Sequence, residues 1–155
     1  MLNAAADIWN IFVSIVSTKI FISTFTAWFF AQALKLIIHL VINHKIDFRL
    51  LVGTGGMPSS HTASVTALTT SVGLATGFTS PIFLVALLYC IVVISDALGV
   101  RRAAGRQAKL LNMIVDEMGH NKLHAEKRMK ELLGHTPIEA AAGIVIGILF
   151  PILLY

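Results

Sequence analysis

The sequence predicts an all-α integral membrane protein: a helical bundle with about four to five membrane helices and a cytoplasmic amphipathic helical hairpin. Three observations predict this class. First, 56% of the 155 residues are hydrophobic and only 13% are charged, whereas a soluble domain carries about 25% charged residues. Second, apolar segments of the length that a bilayer requires recur along the chain. Third, glycines and capping residues separate these segments. Residues 1–155 are therefore expected to form a single membrane domain.

The membrane helices are predicted at 20–42, 60–78, 81–100 and 136–155. A shorter apolar run precedes them at residues 4–17, which either forms a hairpin with the next segment or lies in the membrane interface. The segment 60–78 is rich in serine and threonine, which suits a helix that is surrounded by other helices. In the last helix, Gly143 and Gly147 have the small-xxx-small spacing that allows close helix packing.

The segment 101–133 is amphipathic and basic, and it sets the predicted orientation. Eight of the 12 Lys and Arg residues fall between Arg101 and Lys130. If 60–78 crosses the membrane and 81–100 returns, these residues lie on the same side as Lys45 and Arg49. By the positive-inside rule that side is the cytoplasmic one. We therefore expect a multi-pass protein of the cell membrane, with no nucleic-acid partner because acidic residues interleave with the basic ones.

A first candidate site is the stretch 55–63, Gly-Gly-Met-Pro-Ser-Ser-His-Thr-Ala. Pro58 suits the entry to a helix, and Ser59 or Ser60 can cap its first turn. His61 then lies at the positive end of the helix dipole, beside unpaired amides and hydroxyls, which is a natural binding site for an anion. The alternative interpretation is a capped helix start whose histidine faces solvent.

A second helix start on the same predicted membrane face repeats this arrangement. His135 precedes Thr136 and Pro137, and Glu139 completes the spacing of a capping box. Glu139 therefore has a structural interpretation, as the capping carboxylate, beside a functional one as a partner of His135.

Together these groups suggest phosphoryl transfer through a covalent phosphohistidine. One histidine would attack while a carboxylate holds its other nitrogen, and the second histidine would protonate the leaving oxygen. Cations and helix N-termini would stabilise the oxygens of the transferring group. The candidate phosphate-binding residues, besides the serines of the first site, are Lys35, Arg49, Arg101 and Arg102.

Lys35 lies within an apolar segment, one helical turn from His39, where an ionisable side chain is costly and is a functional candidate. Its alternative role is to extend to the nearby membrane interface. We expect no metal and no cofactor, because the sequence has no Cys/His or Asp-rich ligand cluster.

The motifs also resemble those of a known superfamily. The run Pro58 to His61 resembles the Pro-Ser-Gly-His motif of the type 2 phosphatidate phosphatase superfamily, which includes the vanadium-dependent haloperoxidases. His135-x-x-x-Glu139 resembles its final His-x-x-x-Asp motif. With Asp96-Ala-x-Gly-Val-Arg-Arg between them, these blocks are similar to the divergent bacterial and plant branch, related to the acid phosphatases and haloperoxidases, over residues 20–150.

The resemblance implies that His135 is the nucleophile, His61 the general acid and Glu139 the orienting carboxylate, with Lys35 matching the lysine of the first motif. The sequence departs from the superfamily pattern at several motif positions, among them Glu139, which stands in place of aspartate. Ser60 stands in place of glycine, and the arginines of the first and third motifs are replaced at their usual spacing by Ile42 and Met129.

Two main hypotheses follow. The first is a membrane phosphatase that acts on a lipid phosphate or prenyl pyrophosphate, with the lipid tail along the hydroxyl-rich helix. The second is a non-catalytic membrane protein of the same fold that binds anionic lipid head groups or acts in assembly, as the replaced arginines would allow. A small transporter with a relay through Lys35, His39 and Asp96 is a third, which would need a homo-oligomer because the chain has few helices.

Overall fold

The structure, a computed structural model, describes residues 4–44, 56–117 and 136–155, some of them by their backbone alone. These residues form helices and contain no strand, which confirms the predicted all-α class. The helices are α1 (Ala4–Val16), α2 (Lys19–Asn43), α3 (Ser60–Thr76), α4 (Pro81–Ser95), α5 (Arg101–Glu117) and α6 (Pro137–Leu154). A π-helical turn, Asp96–Val100, connects α4 directly to α5.

Side-chain hydroxyls cap four of these helices at their first turn. The capping residues are Thr18 for α2, Ser59 for α3, Ser80 for α4 and Thr136 for α6. In each case the hydroxyl oxygen accepts a hydrogen bond from an N–H that has no partner within the helix. Of the two serines that the sequence offered as the cap of α3, Ser59 performs this role.

Among the residues that the structure describes, three helices are long and apolar enough to cross a membrane, at Lys19–Asn43, Pro81–Gly99 and Pro137–Leu154. Their outer sides expose large apolar side chains, such as Val85 at 68% and Leu153 at 77%. Apolar surface of this extent suits contact with lipid rather than water. The protein is therefore a multi-pass membrane protein.

Helix α3 lies at the centre of the bundle and packs against α2, α4 and α6. At 17 residues it is about 25 Å long, shorter than the ~30 Å hydrocarbon core of a bilayer. The predicted span 60–78 is thus present as a helix, whereas its crossing of the membrane stays a prediction.

The hydroxyl groups of α3 take part in contacts with the neighbouring helices. The Ser71 and Ser23 hydroxyls are hydrogen bonded at 2.6 Å between α3 and α2, and the Thr69 hydroxyl donates to the Ala86 carbonyl of α4 at 3.1 Å. At these two positions protein covers the helix, while Ser64 and Thr70 of the same helix are partly exposed. The predicted position of a lipid tail along α3 stays a prediction.

The contacts between helices also fix their directions. Ser23 near the start of α2 meets Ser71 near the end of α3, so these two helices are antiparallel. At the same end of the bundle, the Lys19 ammonium donates to the Tyr155 carbonyl at 3.5 Å, so α2 is antiparallel to α6 as well. The N-termini of α3 and α6 consequently lie at the same end of the bundle, together with the C-terminal part of α2.

Helices α3 and α6 approach each other closely at two glycines. A Cβ atom at Gly143 would lie 2.6 Å from the Ser59 carbonyl oxygen, and one at Gly147 would lie 2.6 Å from the Ala63 carbonyl oxygen. Both distances are too short for any side chain, so glycine is needed at each position. The small-xxx-small spacing predicted this packing.

The predicted amphipathic segment 101–133 is described only in its first half. Helix α5 follows α4 without a loop and exposes Leu110 and Ile114. The second amphipathic piece, and therefore the predicted hairpin, lies outside the described residues.

Candidate functional site

A backbone hydrogen bond joins the two helix starts that the sequence singled out. The Ser59 N–H donates to the backbone carbonyl of Glu139 at 3.0 Å. Since Ser59 is the N-cap of α3 and Glu139 lies in the first turn of α6, this bond fixes the two N-termini beside each other. We call the region where α2, α3 and α6 meet at this end the junction; it comprises Lys35, Gly56–Thr62 and Thr136–Glu139.

Helix α2 contributes Lys35 to the junction. The side chain is only 3% exposed. Its aliphatic part packs against Gly56, where an added Cβ would lie 3.3 Å from both Cγ and Cδ of the lysine. Gly56 has a φ of 89°, a backbone conformation that favours glycine. Protein therefore covers the side chain, and its alternative role of extending to the membrane interface stays open.

Lys35 and Glu139 carry the opposite charges of the junction and interact electrostatically. A buried ammonium group in an apolar bundle needs anionic partners to offset the cost of its desolvation. The N-termini of α3 and α6 add the positive ends of two helix dipoles at the same place. The junction therefore favours negative charge beyond the single carboxylate that it contains.

Ser59 shapes the start of α3. It is fully buried, and its hydroxyl accepts a hydrogen bond from the Thr62 N–H at 3.2 Å. Because its own N–H bonds to α6, the polar groups of Ser59 hold protein partners in this structure. Its predicted part in binding phosphate stays a prediction.

The next residues of α3 offer polar groups of their own. Ser60 is 2% exposed, and its amide, at the first helical position, has no acceptor within the helix. The Thr62 hydroxyl is buried and has no hydrogen-bond partner in the described structure. From the sequence, the position of Thr62 in a hydroxyl-rich helix indicated only helix packing.

His61 is exposed in the first turn of α3. Exposure is compatible with a general acid that a substrate can reach and with a histidine that simply faces solvent. The described contacts therefore leave both interpretations of His61 open.

Glu139 forms the predicted capping box with Thr136. The Thr136 N–H donates to Glu139 Oε2 at 3.1 Å, and the Glu139 N–H donates to the Thr136 hydroxyl at 3.3 Å. This confirms the structural role of the carboxylate. Thr136, which donates to this carboxylate, directly follows His135 in the sequence, and His135 is the residue that the carboxylate is predicted to orient.

The described structure gives no side-chain position for four predicted site residues. Arg49 and His135 lie outside the described residues, and Arg101 and Arg102 belong to α5 with their backbone alone described. The structure thus brings together Lys35, Ser59, Ser60 and Glu139, while the meeting of the two histidines at one anion stays a prediction.

Comparison with known proteins identifies the family of the chain that forms this junction. The sequence profile of the Divergent PAP2 family matches residues 16–150. The chain belongs to this family. The membership confirms the resemblance drawn from the motif blocks, and the match includes α2, α3 and the first turn of α6. Among curated proteins, the uncharacterized membrane protein YuiD of Bacillus subtilis (strain 168) is 40% identical over 144 residues, 86% of this chain and 91% of that protein. No solved structure matches the chain.

Proposed function

We propose that this divergent PAP2 protein is a membrane phosphatase that hydrolyses a lipid phosphate or prenyl pyrophosphate through a phosphohistidine intermediate. The observation that carries the proposal is that the buried Lys35 packs against Gly56 and interacts electrostatically with Glu139, where the N-termini of α3 and α6 meet. A phosphate group is the ligand that such a junction suits, because it offers several oxygens and more than one negative charge.

In the proposed reaction, His135 attacks the phosphorus atom and forms a covalent phosphohistidine. Glu139 holds the second nitrogen of that imidazole, and His61 donates a proton to the leaving oxygen of the lipid. A water molecule then gives a proton to His61 and attacks the phosphorus, which releases inorganic phosphate and restores His135. Lys35 and the first-turn amides of α3 stabilise the phosphoryl oxygens during both steps.

Further cations would complete the cage around the phosphate. Arg49, Arg101 and Arg102 are the candidates, since the arginines at the usual motif spacing are replaced in this chain. The excess of basic residues between Arg101 and Lys130 supports a site on the cytoplasmic face of the cell membrane.

A second candidate function is the binding of anionic lipid head groups without hydrolysis. The hydrogen bonds of Glu139 in the capping box favour it, because they explain that carboxylate without any reaction. Binding would need only Lys35 and the two helix N-termini.

Release of phosphate from a lipid phosphate in detergent separates the two functions. The wild type is compared with His135→Asn, which removes the nucleophile, and with His44→Asn as a matched control. His44 caps α2 with a φ of 52°, a conformation that asparagine accepts. We expect vanadate-sensitive release by the wild type and by the control, and a loss of at least about 100-fold in His135→Asn.

Equal release by His135→Asn and the wild type would exclude His135 as the nucleophile. If the wild type binds the lipid phosphate but releases no phosphate, the second function replaces the first.

A further inference from the structure

Helix α1 exposes an apolar surface that no other part of the described chain covers. Every side chain from Asp7 to Ile15 is exposed, including Ile8 at 68% and Trp9 at 64%. Within the described residues, α2 is the one helix against which α1 packs. Because none of these side chains is buried, α1 does not run along α2 as the partner in a hairpin would.

The apolar and polar residues of α1 lie on different sides of the helix. Successive helical residues are turned by about 100°, so the polar side chains fall in one narrow stripe, formed by Asp7, Asn10 and Ser14. The large apolar side chains occupy roughly 200° of the circumference; they are Ile8, Trp9, Ile11, Phe12, Val13 and Ile15. This division is typical of a helix that lies in the plane of a membrane surface.

The length of α1 and its connection to α2 place it at that surface. Its 13 residues extend about 20 Å, too short for the ~30 Å hydrocarbon core of a bilayer. Only Ser17 and Thr18 separate it from α2, which is long and apolar enough to span the membrane. The Ser17 hydroxyl donates to the Val13 carbonyl at 2.7 Å, and the Thr18 hydroxyl donates to the Ile15 carbonyl at 2.8 Å while it caps α2. Helix α1 therefore ends where α2 begins, at the opposite end of the bundle from the junction.

The charge of the segment favours a neutral lipid surface as the partner. The first 18 residues contain no Lys, Arg or His, and Asp7 is their one charged side chain. Amphipathic helices that depend on anionic lipids carry cations on their polar face, so apolar burial alone would hold α1. A second copy of the chain is a less suitable partner, because one facing helix covers a stripe of about 100° and would leave much of the apolar surface in water.

We propose that α1 is an interfacial helix that binds the surface of zwitterionic lipid at the face of the membrane opposite to the junction. Asp7, Asn10 and Ser14 point towards water, and Trp9 and Phe12 lie among the upper parts of the acyl chains. The helix fixes the depth of the first turn of α2 in the bilayer. The proposal does not depend on the proposed function, since no residue of the junction takes part in it.

The two tryptophans of the chain, Trp9 and Trp28, allow a direct test. Trp28 lies nine residues beyond Lys19, about 14 Å along the axis of α2, which brings it close to the middle of the bilayer. Trp28→Phe leaves Trp9 as the one tryptophan, and Trp9→Phe leaves Trp28. Each full-length variant is reconstituted into phosphatidylcholine vesicles whose acyl chains carry bromine either near the head group or near the chain end.

We expect the shallow bromine to quench the fluorescence of Trp9 more strongly than the deep bromine, and the reverse order for Trp28. Addition of anionic phosphatidylglycerol should leave the quenching of Trp9 unchanged, because the segment holds no cation.

Two neighbouring substitutions in the Trp28→Phe protein supply a matched pair. Ile15 belongs to the apolar surface and Ser14 to the polar stripe. Ile15→Asn should raise the quenching of Trp9 by acrylamide, a neutral quencher in the water phase, at least about twofold, because it removes one apolar anchor. Ser14→Asn should leave this quenching unchanged.

Each of the other outcomes would overturn the proposal. Equal depths for Trp9 and Trp28 would mean that α1 enters the bilayer as a hairpin with α2. Strong quenching of Trp9 by acrylamide and by neither bromine would mean that α1 lies in water. Weak quenching by all three would mean that protein covers α1, as in contact with a second copy of the chain. Equal effects of Ile15→Asn and Ser14→Asn, or a depth that changes with anionic lipid, would contradict the assigned faces and the neutral partner.

Discussion

Replacing Gly143 by alanine should separate the two helix starts that form the junction. The added Cβ would lie 2.6 Å from the Ser59 carbonyl oxygen. An ordinary van der Waals contact needs about 3.4 Å, so α3 and α6 would have to move apart by roughly 0.8 Å. A movement of that size along the 3.0 Å bond between the Ser59 N–H and the Glu139 carbonyl would lengthen it beyond hydrogen-bonding range.

The expected cost is that of overpacking a tight contact, about 1–3 kcal/mol in the free energy of unfolding. Thermal melting in detergent should therefore show a midpoint for Gly143→Ala that is lower by several degrees. Gly99→Ala is the matched control, because an added Cβ at Gly99 meets nothing within 4 Å. Phosphate binding should weaken in Gly143→Ala alone. Equal melting temperatures and equal phosphate affinities for the two variants would refute the reasoning that close packing at Gly143 builds the junction.

Three further predictions concern the cap of α3, the contact between α2 and α3, and the orientation of the chain. Ser59→Ala and Ser80→Ala should each lose about 1 kcal/mol of stability in thermal melts. Only Ser59→Ala should weaken phosphate binding, since Ser80 caps a helix at the opposite end of the bundle. An equal effect of the two variants on phosphate binding would contradict the position of the site. Ser23→Ala should lower stability by about 0.6 kcal/mol through loss of the hydrogen bond to Ser71, and an unchanged melting temperature would show that this bond contributes nothing. A cysteine at position 122, Lys122→Cys with the native cysteine replaced by alanine, should resist membrane-impermeant reagents in intact cells, whereas external labelling would contradict the cytoplasmic assignment.

Local sequence signals predicted the helices and their caps. Thr136 and Glu139 have the spacing of a capping box, and Ser80 precedes a proline, so each signal lies within a few residues of the structure that it predicts. Membership of the family was also accessible, because the motif blocks are contiguous and occur in a fixed order.

Contacts between distant segments were harder to predict. Gly143 and Gly147 indicated close packing, but nothing in one sequence indicates that their partner is α3. The bond from the Ser59 N–H to the Glu139 carbonyl involves only backbone atoms, so no side-chain type signals it. The hydroxyls of α3 predicted a helix within a bundle, and only the structure showed that Ser71 contacts α2 and Thr69 contacts α4.

The burial of the Lys35 side chain likewise involves a residue that is remote in sequence. An apolar helix with one lysine near its end is compatible with extension to the interface or with burial. In the structure the lysine is buried, and its aliphatic part packs against Gly56, whose missing side chain leaves room for it. The distinction is therefore a matter of packing between α2 and the segment before α3.

The central claim is that Lys35 and the N-termini of α3 and α6 form an anion site. The most direct test measures the binding of orthovanadate, a phosphate analogue, to three proteins: the wild type, Lys35→Gln and Lys19→Gln. Both lysines lie on α2, Lys35 in the junction and Lys19 at the opposite end of the bundle beside Tyr155. A hydrogen bond between charged groups contributes about 1.5–3 kcal/mol, so Lys35→Gln should bind vanadate roughly 10- to 150-fold more weakly while Lys19→Gln binds it as the wild type does. Equal affinities for all three proteins, or a loss in Lys19→Gln alone, would contradict an anion site formed by Lys35 and the N-termini of α3 and α6.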